Sequence, residues 1–102
     1  MPPELLIQKV QEWGDEKGIT NFDKQLNKVH EGTSEFWSAV TKGEGEKAEL
    51  LELGDILVTV ILAGHIRGID PLEALEQAYI KIKARDGKNK GGTFIKEEDL
   101  ND

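Results

Sequence analysis

Two pairs of carboxylates are the residues of this chain whose type and spacing best suit chemistry. Glu52 and Asp55 stand three positions apart in the run Glu52-Leu-Gly-Asp55. On a helix, at about 100° per residue, they lie about 60° apart on one face. Around them Leu50, Leu51, Leu53, Ile56, Leu57, Val58, Val60, Ile61 and Leu62 point in nearly every direction, and a helix apolar all round is expected to be buried. Carboxylates seldom enter such an interior without a cation or a metal. The alternative is that they mark the solvated N-terminal end of the helix, where the dipole favours acids. The second pair, Glu31 and Glu35, falls with Lys28 opposite the apolar stripe of its own helix. Alone, it reads as a solvated charged face. If the two pairs faced each other between antiparallel helices, four carboxylates would repel strongly at low dielectric. Divalent cations would then be needed, and oxygen-only ligation selects Mg²⁺ or Mn²⁺.

Charge is unevenly distributed. Residues 1–80 carry seven basic and fifteen acidic side chains, net −8, whereas residues 81–90 carry Lys81, Lys83, Arg85, Lys88 and Lys90 against Asp86, net +4. Cations at a helix C-terminus complement its dipole. They are equally suited to hold the phosphates of a metal-bound nucleotide. Other residues offer less. His30 and His65 have no partner at metal-ligand spacing, Ser34 has no nearby base, and the glycines near Gly43 and Gly91 match no phosphate loop. Trp13, Phe36 and Trp37 read as core or interface residues, or as one stacking platform for a base.

These residues need elements to hold them. The pattern predicts an all-α chain of four antiparallel helices joined by short loops. The first spans residues 3–17, with Pro3 in the first turn and Gly18 as its stop. The second spans 23–41, capped by Asp23 or Asn21, with Phe22, Leu26, Val29, Thr33, Phe36, Trp37 and Val40 along its stripe. The third spans 46–66. Its β-branched run 56–61 also fits a buried strand, but its length favours a helix. The fourth opens at Asp70-Pro71-Leu72-Glu73, which has the form of a capping box, and ends near Asp86-Gly87. We read residues 1–87 as one domain and 88–102 as a tail, Gly-rich and then acidic. The chain of 102 residues is 37% hydrophobic and 32% charged, with net charge −7 and no cysteine. That supports a small core and excludes disulfides, Cys-based zinc sites and a thiol nucleophile. An acidic balance argues against a nucleic-acid partner, and a core this small without staples favours a homo-oligomer. The start, Met-Pro-Pro-Glu-Leu-Leu-Ile, and the lack of a long apolar run predict no targeting segment and no membrane span. The expectation is a soluble, cytoplasmic protein.

Four blocks in order, Lys28-Val-His-Glu-Gly-Thr-Ser-Glu35-Phe, Glu52-Leu-Gly-Asp55-Ile-Leu, Gly68-Ile-Asp-Pro-Leu-Glu-Ala-Leu75 and Ala78-Tyr-Ile-Lys-Ile-Lys-Ala-Arg85-Asp-Gly-Lys88, resemble the short MazG-like proteins of the all-α nucleoside triphosphate pyrophosphohydrolase superfamily of bacteria and phages. The ending Gly92-Thr-Phe-Ile-Lys-Glu-Glu98 is similar to theirs too, so the resemblance runs from about Ile7 to Glu98. It implies a four-helix MazG-like bundle completed as a homodimer or homotetramer, and cleavage of a nucleoside triphosphate between its α and β phosphates. It also implies Mg²⁺ held by an E-x-x-E and an E-x-x-D motif. Glu52 and Asp55 match the second motif, and Glu35 matches the last residue of the first. The opening position of the first falls on Gly32, with Glu31 beside it. Ile80 stands where relatives often carry an asparagine that helps bind substrate. The resemblance makes Glu35, Glu52 and Asp55 catalytic and metal-binding, adds Glu31 to the metal ligands, and gives Lys28, Lys81 and Arg85 to the phosphates. Gly32 and Ile80 leave two other readings open. One is a degenerate relative that binds nucleotide without turnover. The other is a helical protein-interaction module, whose structural sign would be an exposed apolar patch.

Overall fold

The computed structural model describes residues 1–85 and 87–100. By internal packing the chain divides into two compact units, Met1–Pro71 and Leu72–Asp102.

The first unit contains three helices, α1 (Pro3–Glu16), α2 (Phe22–Thr41) and α3 (Glu46–Ile66). Pro3 sits in the first turn of α1, and the Asn21 side chain caps α2 by accepting from the Lys24 N–H at 3.0 Å. Of the two candidate caps, Asn21 is therefore the one used. Gly18 and Gly68, at φ 69°, close α1 and α3. In each case the N–H of the following residue, Ile19 or Ile69, reaches back to the carbonyl of Gly14 or Gly64, an end that a left-handed glycine makes available. Helices α2 and α3 run antiparallel. The Arg67 guanidinium lies 3.8 Å from the centroid of the Phe22 ring, the Gln25 amide donates to the Thr59 carbonyl at 3.2 Å, and Gly32 faces Ile56. Helix α1 runs parallel to α3, with Gly14 against Leu62 and Asp15 2.9 Å from His65.

Small residues hold this unit together. The buried set is Gly14, Gln25, Gly32, Ala39, Leu62 and Ala63. A Cβ on Gly14 would lie 2.5 Å from Leu62 Cδ2, so α1 approaches α3 only because that side chain is absent. The expectation of a buried α3 is overturned. Leu62 and Ala63 are its only buried residues among those described, while Leu50 is 70% exposed and Leu57 55%. The reason is geometric. Helix α2 covers the side bearing Glu52, Ile56 and Thr59, α1 covers the side bearing Val58 and Leu62, and nothing within the unit covers the remaining third.

The second unit contains α4 (Pro71–Lys83, its first residue in the preceding unit), strands β1 (Gly87–Lys90) and β2 (Thr93–Lys96), and a 3₁₀ turn over Glu97–Asp99. Helix α4 ends at Lys83, before the expected boundary, whose Asp86 lies outside the described residues. The segment expected as a tail forms an antiparallel hairpin, with Lys88 opposite Ile95 and Asn89 opposite Phe94. Gly91 and Gly92 both have positive φ, which a two-residue hairpin turn requires. Two adjacent glycines between short alternating runs were the available signal. Among the described residues no helix is long and apolar enough to cross a membrane.

Candidate functional site

The antiparallel pairing of α2 and α3 brings Glu35 to Glu52. Glu35 follows Gly32 by three residues and Glu52 precedes Ile56 by four, so both sit about one turn from the Gly32–Ile56 contact, on the same side of the helix pair. Glu52 is half-buried, and its Oε2 is shut off from water without a hydrogen-bond partner. Burial pushes the Glu52 pKa up first. The charges of Glu35 and then Asp55 add to that, and Glu44 contributes from the α2–α3 turn. No cation stands among these perturbers. The cluster is thus acidic, unneutralised and, at Glu52, partly withheld from solvent. Such an arrangement weakens a fold and suits a site for cations or protons.

The other expected residues are placed differently. Glu31 points away from Glu52 and pairs with Lys28 at 3.2 Å, both side chains being more than half exposed. The helix geometry accounts for this, because Glu31 is turned about 100° from Gly32. Gly32 itself lies in the α2–α3 contact. A Cβ there would meet Ile56 Cγ1 at 3.4 Å and Thr59 Oγ1 at 3.9 Å, ordinary contact distances within the helix packing. Lys81, exposed on α4, and Arg85, just beyond it, belong to the second unit, as does Ile80. His65 pairs with Asp15, and His30 is exposed on α2. Sequence reasoning did not single out Glu44 as a member of the acidic cluster. The turn that returns α3 alongside α2 is what brings it close.

A hard divalent cation fits part of this donor set. All the donors are carboxylate oxygens and one of them is orphaned, which suits Mg²⁺. Among the described residues, however, no three acidic or histidine side chains converge closely enough to hold a metal by themselves. Mg²⁺ commonly uses one or two protein carboxylates and completes its shell with water and substrate phosphate, and Glu35 and Glu52 can supply that minimum. No family model, no curated protein and no solved structure matches this chain. The fold shown is an all-α three-helix unit followed by a helix and a hairpin.

Proposed function

We propose that the acidic side of the α2–α3 pair is the site of a Mg²⁺-dependent nucleotide pyrophosphohydrolase. The substrate is a nucleoside triphosphate, cut between its α and β phosphates to give monophosphate and pyrophosphate. One observation carries the reading: Glu35 and Glu52 face each other across antiparallel helices, with Asp55 beside them and Glu52 Oε2 orphaned. Glu35, Glu52 and Asp55 would hold Mg²⁺, or Mn²⁺ in its place. When bound, the ion neutralises these carboxylates and polarises the phosphoryl group. A water oriented by these carboxylates would attack in line as the phosphoanhydride oxygen departs with pyrophosphate. Lys28, in the same unit as the carboxylates, is assigned to the phosphates, where cations offset developing charge. For Lys28 this means leaving Glu31, and Glu31 joins the metal ligands only by the same exchange. A homodimer or homotetramer acting in the cytoplasm belongs to the same proposal.

A second reading is favoured by Gly32. With no side chain at Gly32 to ligate and no three-ligand group among the described residues, the chain would bind a nucleotide without cleaving it. Thermal melting with and without Mg²⁺ across a panel of nucleoside triphosphates, with pyrophosphate measured in the same samples, separates the two. A ligand at 100 times its dissociation constant adds ~2.7 kcal/mol, a shift of several degrees for so small a domain. A Mg²⁺-dependent shift with pyrophosphate release supports the enzyme. A shift without release supports the binder, and the absence of both shift and release removes support from each.

A further inference from the structure

We infer that the β1–β2 hairpin is a docking surface for a single-stranded nucleic acid, its lysines taking the phosphates and Phe94 taking a base. The inference rests on the hairpin and not on the carboxylates of the α2–α3 pair. The acidic balance of the whole chain argues against such a partner, yet the charges are not evenly shared. Residues 81–96 carry six basic side chains against one acidic, Asp86, whereas residues 1–71 carry seven basic and thirteen acidic. A run of phosphates responds to the local charge, because salt screens exposed charges beyond about 10 Å.

The register places these cations. Directly opposed residues of an antiparallel pair share a face. Lys88 and Lys90 therefore stand on one face with Ile95 and Thr93, and Phe94 and Lys96 stand on the other with Gly87 and Asn89. Two residues apart on a strand, Lys88 and Lys90 are separated by about 6.7 Å. Both are exposed and, among the described residues, have no ion-pair partner. The acids that follow the hairpin, Glu97, Glu98 and Asp99, form the 3₁₀ turn. Glu98 reaches Lys96 at 3.9 Å, and none of the three pairs with Lys88 or Lys90.

The aromatic ring is held and still presented. Phe94 lies against Gly87, where a Cβ would collide with the ring. One side of the ring rests on the strand, while the residue stays 49% exposed. The turn is fixed as well: the Gly92 N–H donates to Asn89 Oδ1 at 3.2 Å, and Gly91 and Gly92 leave the tip without side chains. A held ring beside exposed cations suits a single strand of any sequence, because every base has a π-face and every nucleotide a phosphate. A duplex keeps its bases stacked on one another and offers this ring nothing. A membrane surface favours apolar residues gathered on one face, whereas Phe94 and Ile95 point to opposite faces. The ribbon is only two strands, about 4.8 Å apart, so a single strand crossing it meets the lysines of one face and the ring of the other.

Fluorescence anisotropy of end-labelled dT and U oligomers of about 12 nucleotides, titrated with the full chain, tests this. Binding of either supports the proposal, and the tighter of the two names the sugar preferred. Two phosphate contacts should give a log–log salt slope near about −1.4, so affinity should fall ~7-fold between about 50 and 200 mM salt. The double variant Lys88→Gln/Lys90→Gln should bind ~7-fold or more weakly at the lower salt and lose most of that slope. Phe94→Leu keeps an apolar side chain over Gly87 and removes the π-face. It should bind roughly 5-fold or more weakly with the slope unchanged. On an abasic oligomer of equal length, wild type and Phe94→Leu should be indistinguishable. Binding of neither oligomer at the lower salt would overturn the proposal, as would a salt slope that survives Lys88→Gln/Lys90→Gln. Equal affinity of the wild type for abasic and ordinary oligomers would overturn the role of Phe94. Tighter binding of a duplex, of a free nucleoside monophosphate or of phosphatidylserine vesicles would overturn the single strand in favour of that occupant. Should Phe94→Leu lose the hairpin, the comparison of abasic with ordinary oligomers on the wild type decides. Neither Mg²⁺ nor pyrophosphate enters these readouts, so this proposal and the hydrolase proposal can fail separately.

Discussion

The two sides of the α2–α3 pair are built on the same helices and solve opposite problems. One side gathers Glu35, Glu44, Glu52 and Asp55 with no cation among them. The other presents Leu50, Leu53, Leu57 and Val60 with no cover from within their unit. Neither arrangement favours an isolated chain, because clustered like charges and exposed apolar surface both raise its free energy. Both are relieved by something from outside, and the chemistry of each side says what kind. Carboxylate oxygens want a hard cation, and exposed leucines want an apolar cover.

That contrast can be broken at defined points. The largest effect is expected at Asp55. Asp55→Asn should lower Mg²⁺-dependent pyrophosphate release by ~10³-fold or more, given that metal-assisted charge stabilisation is worth several kcal/mol, and should leave sedimentation unchanged. Undiminished release would remove Asp55 from the site. Next comes the core that both sides share. Leu62→Ala should destabilise by about 2–5 kcal/mol, because Leu62 is 3% exposed and packs against Gly14. Chemical denaturation measures this, and a loss near zero would show that α1 does not lock onto α3.

A smaller effect, opposite in sign, is expected at Glu52. Its folded pKa is raised by burial and by Glu35 and Asp55, so the folded state holds this proton more tightly than the unfolded state does. Its contribution is then fully favourable below the ordinary carboxylate range and is lost as pH rises through the folded value. Glu52→Gln should therefore raise the melting temperature at neutral pH, with the gain shrinking on acidification. It should also abolish any stabilisation of the apoprotein by Mg²⁺. A loss of stability at neutral pH would mean that the charged form is already well accommodated. The least effect is expected at the exposed Lys28–Glu31 pair, where Lys28→Ala should change stability by no more than ~0.5 kcal/mol. A larger change in denaturation would place that pair in a network the geometry does not reveal.

Much of the scaffold was legible from residue types. Apolar periodicity located α1, α2 and α3 to within a residue or two, because helical spacing over fourteen or more residues outweighs local ambiguity. The 56–61 run is helical although β-branched, since α3 is long enough to set its conformation. The sequence pattern assigns residues 88–102 to a tail, because strands of four residues carry too short an alternation to stand out. At the site, spacing placed Glu52 and Asp55 on one face of α3. It left open whether the Glu31–Glu35 pair faced them, since a single helix has no reference direction until its neighbour is docked.

The sequence by itself determined which segments are helical, where glycine ends them, and that carboxylates and leucines alternate around α3. Those outcomes follow from backbone propensity and short-range spacing. Only the tertiary structure decided that Gly32 packs on Ile56, that Glu35 reaches Glu52 while Glu31 turns to Lys28, and that one third of α3 is left bare. Each of these depends on the rotation of one helix against the next, which is fixed by packing between residues distant in the chain and by the small side chains at Gly14, Gly32 and Ala39 that let the helices close.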